Sequence, residues 1–180
     1  MIEVSLSDKQ LKWCNNHAKQ IVASWEKVSK VGSGTYNHNK VSSNLVGVKS
    51  EVATAIWLKR NVDNREITCN FIDFKNEDLK GDIDVSGHSV EVKGLRPHQW
   101  DEYKRCIPPK QLKSYVGDKA IVVWTTTAGD TKDFKVTLQG WNYAKDVDDN
   151  GVYRKTICDN IWLKEDSQMR DMESLIKELK

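Results

Sequence analysis

The chain has 180 residues, 30% of them charged, with a formal net charge of only +2. That length accommodates one domain with a single sizeable core. The near-balance of charge excludes the strongly basic profile of a passive nucleic-acid coat protein, so any polyanion site must be a local patch. No apolar run reaches the length of a membrane span, and the N-terminus lacks a secretory apolar region; a cytoplasmic protein without a membrane partner is expected. Cys14, Cys69, Cys106 and Cys158 are scattered without a C-x-x-C pair, which favours reduced thiols over a zinc or iron–sulfur site.

In chain order, Ser7 opens an S-x-x-Q capping box with Gln10. Leu11, Cys14, Ala18, Ile21, Val22, Trp25 and Val28 follow at helical spacing, which predicts a long amphipathic helix over residues 8–29. Residues 30–43 read as a loop whose Lys30, Tyr36, His38 and Lys40 suit contact with a phosphate backbone or a base as well as they suit a plain surface loop. Its Gly32-Ser33-Gly34 is not a P-loop, because no Gly-Lys-Ser/Thr follows. A second helix is predicted over about 44–59, with Val48, Val52, Ala55, Ile56 and Leu58 as its apolar face. Glu51 lies within that stripe, where a carboxylate needs a partner. Lys49 and Lys59 are the ordinary structural candidates. A strand over about 66–74 and a polar turn follow.

Residues 81–94 alternate polar and apolar, the mark of two short strands with one buried face. With Ser86-Gly87 as a two-residue turn, Val85 faces His88, Asp84 faces Ser89, Ile83 faces Val90 and Asp82 faces Glu91. Ile83, Val85, Val90 and Val92 then share one face; Asp82, Asp84, Ser89, Glu91 and Lys93 share the other. Two opposed carboxylates repel each other and call for positive charge. Lys93 is near, and Mg²⁺, which takes oxygen ligands and often only one or two carboxylates, is the natural cation. The alternative is an ordinary hairpin with a solvated polar face.

Asp82 followed, after a short gap, by Glu91-Val92-Lys93 at a strand end resembles the signature of the PD-(D/E)XK nuclease superfamily, with Gly81 in place of the Pro. The stretch from Gly47 to Leu58 is similar to the helix that precedes the core sheet there, and Glu51 matches its inward-pointing Glu. The resemblance covers about 44–127. It implies an α/β (α+β) protein with a restriction-endonuclease-like core, a central mixed β-sheet flanked by helices. Residues 1–43 and 128–180 would be accessory elements of a single nuclease domain, an N-terminal helix and C-terminal strands and helix. It further implies a metal-dependent endonuclease acting on DNA, with Glu51, Asp82, Glu91 and Lys93 catalytic. Mg²⁺, replaceable by Mn²⁺, would bind Asp82, Glu91, the Val92 carbonyl and, through water or as a second ion, Glu51. Lys93 would position the attacking water and offset charge. Asp84 exchanges roles with Asp82 if the turn is longer.

Beyond Lys93, residues 94–105 read as a loop mixing cations and aromatics: Arg96, His98, Trp100, Tyr103, Lys104 and Arg105. It suits nucleic-acid contact, or a surface loop pinned by its aromatics. Pro108-Pro109 opens a short helix to about residue 116, with Lys110 and Gln111 in its first turn; some superfamily members place a Gln or Lys there, facing the site. Residues 119–127 form an apolar, β-branched run, a central strand buried on both faces. Then come a turn over 128–133, a strand over 134–138 ending at Gly140-Trp141, and an acidic turn over 146–151. That turn resembles the first half of a calcium loop, but its twelfth position is Ile157. Short strands over 153–158 and 161–163 and a terminal helix over 166–179 complete the chain, the helix packing on the core or on a second copy. A homodimer would supply two sites for two DNA strands. The competing functions are a binding module of the same fold without turnover, and a partner-binding protein.

Overall fold

The computed structural model describes residues 1–27, 41–63, 67–73, 81–103, 105–115, 117, 119–155, 159–163 and 169–180. It opens on a strand that the sequence reading does not contain, β1 (Ile2–Ser5). Its lone buried residue, Val4, gives too short an alternation to register. The capping box then starts α1 (Asp8–Lys27): Ser7 N donates to Gln10 Oε1 at 2.7 Å, and Gln10 N donates to Ser7 Oγ at 3.3 Å. The second helix, α2 (Val41–Asn61), begins three residues earlier than predicted. The expected strand over 66–74 is cut to β2 (Ile67–Cys69), followed by a 3₁₀ turn, Asn70–Ile72.

The hairpin follows as β3 (Ile83–Val85) and β4 (His88–Leu95). Its register pairs Ile83 with Val90, Asp84 with Ser89 and Val85 with His88, as the two-residue turn requires. Ser86 and Gly87 both have positive φ, 49° and 75°, the backbone of a tight hairpin turn.

Of the stretch expected as a loop, residues 94–103 do not form one. They continue β4 and then form α3 (Pro97–Tyr103), started by Pro97 and by Arg96 N donating to Gln99 Oε1 at 3.1 Å. Next come β5 (Cys106–Ile107), α4 (Pro109–Tyr115) and β6 (Ala120–Thr126). All seven residues of β6 are buried, in keeping with a central strand. β7 (Lys135–Tyr143) runs past Gly140-Trp141, where an end was expected; a register shift opposite Trp124 and Thr125 lets it continue.

The acidic turn is instead a helix, α5 (Ala144–Asn150), held down by buried Ala144 and Val147 while its acids face outward. β8 (Val152–Lys155), β9 (Asp159–Trp162) and α6 (Met172–Glu178) finish the chain. α6 is shorter than the expected 166–179 because Asp171 caps it, accepting from Ser174 N at 2.8 Å. Before it, Arg170 forms a β-bridge with Trp141.

The main sheet has the order β1-β7-β6-β4-β3-β2, and β5-β9-β8 form a second, smaller sheet. β4 and β6 are parallel and the other paired strands antiparallel, so the main sheet is mixed. Alternation divides its two faces. Ile83, Val85, Val90, Val92, Ile121 and Val123 join Cys14, Ala18, Leu45, Val48 and Leu175 in one core beneath α1, α2 and α6. Ala120, Val122 and Trp124 join Ile107, Leu112, Ala144, Val147 and Leu163 in a second, beneath α4 and α5. Among the described residues no helix is long and apolar enough to cross a membrane.

Lys49 does not serve Glu51. It is fully buried, and its Nζ donates to the carbonyls of Ala128 (2.8 Å) and Asp133 (2.6 Å), with Asp130 O at 3.4 Å. It thereby ties α2 to the turn between β6 and β7. Lys49→Met, which keeps the stem and removes the ammonium, is expected to cost about 2 kcal/mol. Calorimetry would read this as a Tm lower by about 4–8 °C; an unchanged Tm would show that water serves those carbonyls as well.

Candidate active site

β3 ends at Ile83, so from Glu91 onward β4 has no strand on that edge. Asp82 takes the place of the missing strand: its Oδ2 accepts from Val92 N at 2.7 Å. The N–H and C=O of one strand residue point to the same edge, so the Val92 carbonyl also faces the Asp82 side. Asp82 is fixed from behind, its own carbonyl accepting from Asn70 N (2.8 Å) and Phe71 N (3.1 Å).

Glu91 and Lys93 point to the opposite face from Val90 and Val92, but at Glu91 that face is not solvated. The second core covers it, and Glu91 is 2% exposed. Leu112, buried in that core, seats α4 so that Gln111 reaches the pair. Glu91 Oε1 accepts from Lys93 Nζ and, at 2.6 Å, from Gln111 Nε2; Gln111 Oε1 accepts from Lys93 Nζ at 2.8 Å. The three side chains close a triangle. Glu91 Oε2 is buried without a hydrogen-bond partner among the described residues.

Glu51 approaches from α2, which packs closely on β4: a Cβ on Gly94 would lie 2.4 Å from Ser50 Oγ and 3.0 Å from Val46 O. Burial first, then the charge of Glu91, pushes the Glu51 carboxyl up to about 8, against a smaller downward pull from Lys93. Asp82 is raised well above the usual carboxylate range by burial and by Glu91 and Glu51, with Lys93 and the Val92 N–H opposing. For Lys93, burial works against the charge, but the pull of Glu91, Asp82 and Glu51 outweighs it and the ammonium is held above its ordinary value.

Asp84 is not part of this group. It is exposed, and its Oδ2 accepts from Asn70 Nδ2 at 2.8 Å; the same Nδ2 donates to Gly81 O at 3.1 Å. Sequence reasoning missed Asn70, and no local pattern marks it, because its role arises from the turn it occupies.

The residues expected to meet nucleic acid are dispersed. Lys40 and Lys104 lie outside the described residues. Arg96 is half-buried and donates from Nη2 to Ser42 Oγ at 3.1 Å. His98 and Lys110 are exposed on α3 and α4. Arg105 is 3% exposed and turned into the protein. Gln111 belongs to the carboxylate cluster. Among the described residues, no group of three or more His, Cys, Asp and Glu side chains converges to hold a metal. The chain matches no protein-family model, no curated protein and no solved structure.

Proposed function

We propose that the chain is a metal-dependent endonuclease that hydrolyses phosphodiester bonds of DNA on a restriction-endonuclease-like core. What carries this reading is the charge imbalance beneath the open edge of β4. Among the described residues Glu91 bonds to Lys93, Asp82 and Glu51 act on the same ammonium electrostatically, and one oxygen of Glu91 is buried and unpartnered. A buried carboxylate oxygen without a partner is costly, and an arrangement that raises two carboxyls together asks for a cation. The donor set fits Mg²⁺, which keeps several waters and needs only one or two carboxylates. Asp82, Glu91 and the Val92 carbonyl would hold it, with Glu51 reaching it through water.

In support, α2, β2, β3, β4, α4 and β6 occur in the helix, three strands, helix and strand order that the resemblance implies, with α3 and β5 inserted between β4 and α4. When bound, the ion supplies Lewis acidity to the phosphodiester. Lys93 offers its ammonium to the negative charge that develops on phosphorus oxygens and orients the attacking water. Gln111 holds Lys93 and Glu91 in a fixed relation, so that neither swings out of line. Glu51, deprotonated when the ion is bound, would accept a hydrogen bond from water in the site.

The test is incubation of plasmid, linear, single-stranded and branched DNA with Mg²⁺, Mn²⁺ or EDTA. Cutting that requires the divalent ion is expected. Metal binding without cutting of any DNA would favour the binding module, and the absence of both would leave a structural hairpin.

A further inference from the structure

Beside the carboxylate cluster lies an exposed aromatic surface that the chemistry above does not use. Trp13 on α1 is 38% exposed and Ile72 on the 3₁₀ turn is 57% exposed. The indole is stacked on His17, with centroids 4.6 Å apart and planes 14° apart, and sits edge-on to Phe71 at 6.4 Å. His17 Nε2 is 3.0 Å from Phe71 O, and Phe71 N donates to Asp82 O. A chain of contacts thus runs from the indole to the backbone of a candidate metal ligand, and the ring is held rather than free to swing.

An exposed indole is ordinary taken singly. This one is pre-oriented by a second ring and stands on a basic helix surface. Lys9, one turn before it, is exposed on the same side of α1, and Lys12 and Lys19 are exposed about a third of a turn round the helix; Asp8 on the same helix and Asp73 beyond the turn oppose them.

We infer that Trp13, backed by His17, is a stacking platform for an unpaired base, so that the site engages single-stranded nucleic acid or a single-stranded branch. Aromatic rings beside cations bind single strands because every base offers a π-face while the lysines follow the phosphates. A base paired within a duplex cannot lie on the indole without leaving its stack. The inference rests on the nuclease reading for the identity of the ligand.

The experiment is fluorescence anisotropy of the full chain in EDTA, where no cutting occurs, with labelled oligo-dT and a labelled blunt duplex of equal length. Trp13→Ala is expected to weaken oligo-dT binding about tenfold and to leave duplex binding unchanged, while Trp13→Phe keeps most of the affinity. Oligo-dT binding by Trp13→Ala equal to wild type, an equal loss on both ligands, or wild-type binding to neither ligand would each overturn the platform. Metal-dependent plasmid cutting by the same preparations separates that outcome from failure of the nuclease reading itself.

Discussion

Lys93→Ala is expected to lower Mg²⁺-dependent cleavage by about 100- to 1000-fold, the loss typical of removing one fixed donor to developing transition-state charge. Among the described residues Lys93 is the cation that Glu51, Asp82 and Glu91 share, and its Nζ touches both Glu91 Oε1 and Gln111 Oε1. Truncation therefore removes the donor and unlocks the triangle together. Gln111→Ala isolates the second effect, because it frees Lys93 while leaving its charge; its loss should be the smaller of the two. Single-turnover cleavage at saturating Mg²⁺ measures both. A rate for Lys93→Ala within a few-fold of wild type would remove Lys93 from the reaction.

The second large effect concerns stability and pH. The Glu51 carboxyl is raised from 4.5 to about 8. The folded state thus binds this proton more tightly than the unfolded chain does. The resulting stabilisation is complete below about pH 4.5 and is lost as pH rises to about 8. Asp82, raised for the same reasons, acts in the same direction. In EDTA the Tm should therefore fall across this window by more than other carboxylates explain. Glu51→Gln, which removes the buried charge and keeps the shape, should melt higher than wild type in EDTA at pH 8.

Divalent cation reverses the trend, because the carboxyls must be deprotonated to bind it. At a hundredfold excess over Kd, Mg²⁺ contributes about 2.7 kcal/mol, a rise of roughly 5–10 °C for a chain of this size. That rise should be larger at pH 8 than at pH 5.5 and smaller in Glu51→Gln. Equal melting of wild type and Glu51→Gln in EDTA at both pH values would mean that Glu51 is solvated, and that the charge cluster is not under the tension inferred for it.

The parts of this arrangement that were legible in the sequence are those that depend on neighbours a few residues apart. The Ser7–Gln10 capping box, the stripe on α2, the hairpin register and the all-buried β6 follow from periodicity and turn chemistry. Two short helices were not legible. Residues 94–105 read as a loop of cations and aromatics until Gln99 caps Arg96 and starts α3, and residues 146–151 read as an acidic turn until Ala144 and Val147 find the second core. β1 could not be read because an edge strand with one buried residue owes its existence to β7, which lies more than a hundred residues away.

The candidate site divides in the same way. Alternation by itself put Glu91 and Lys93 on one face of β4, since side chains on a strand must point to opposite faces in turn. It placed Asp82 and Asp84 on that face as well and could not choose between them. The choice came from the strand's end: past Ile83 the chain leaves the ladder, Asp82 bonds to Val92 N, and Asn70 draws Asp84 away. Nor could alternation tell whether that polar face meets water. The second core does cover it, which buries Glu91, brings Gln111 from α4 against it and turns an exposed hairpin surface into a strained charge cluster. Lys49, two residues before Glu51 and so about 200° round the helix from it, was free to anchor the β6–β7 turn instead. Spacing along the chain determines which way a side chain points. Which element covers that direction is decided by long-range packing, and the energetic meaning of a buried carboxylate depends on that cover.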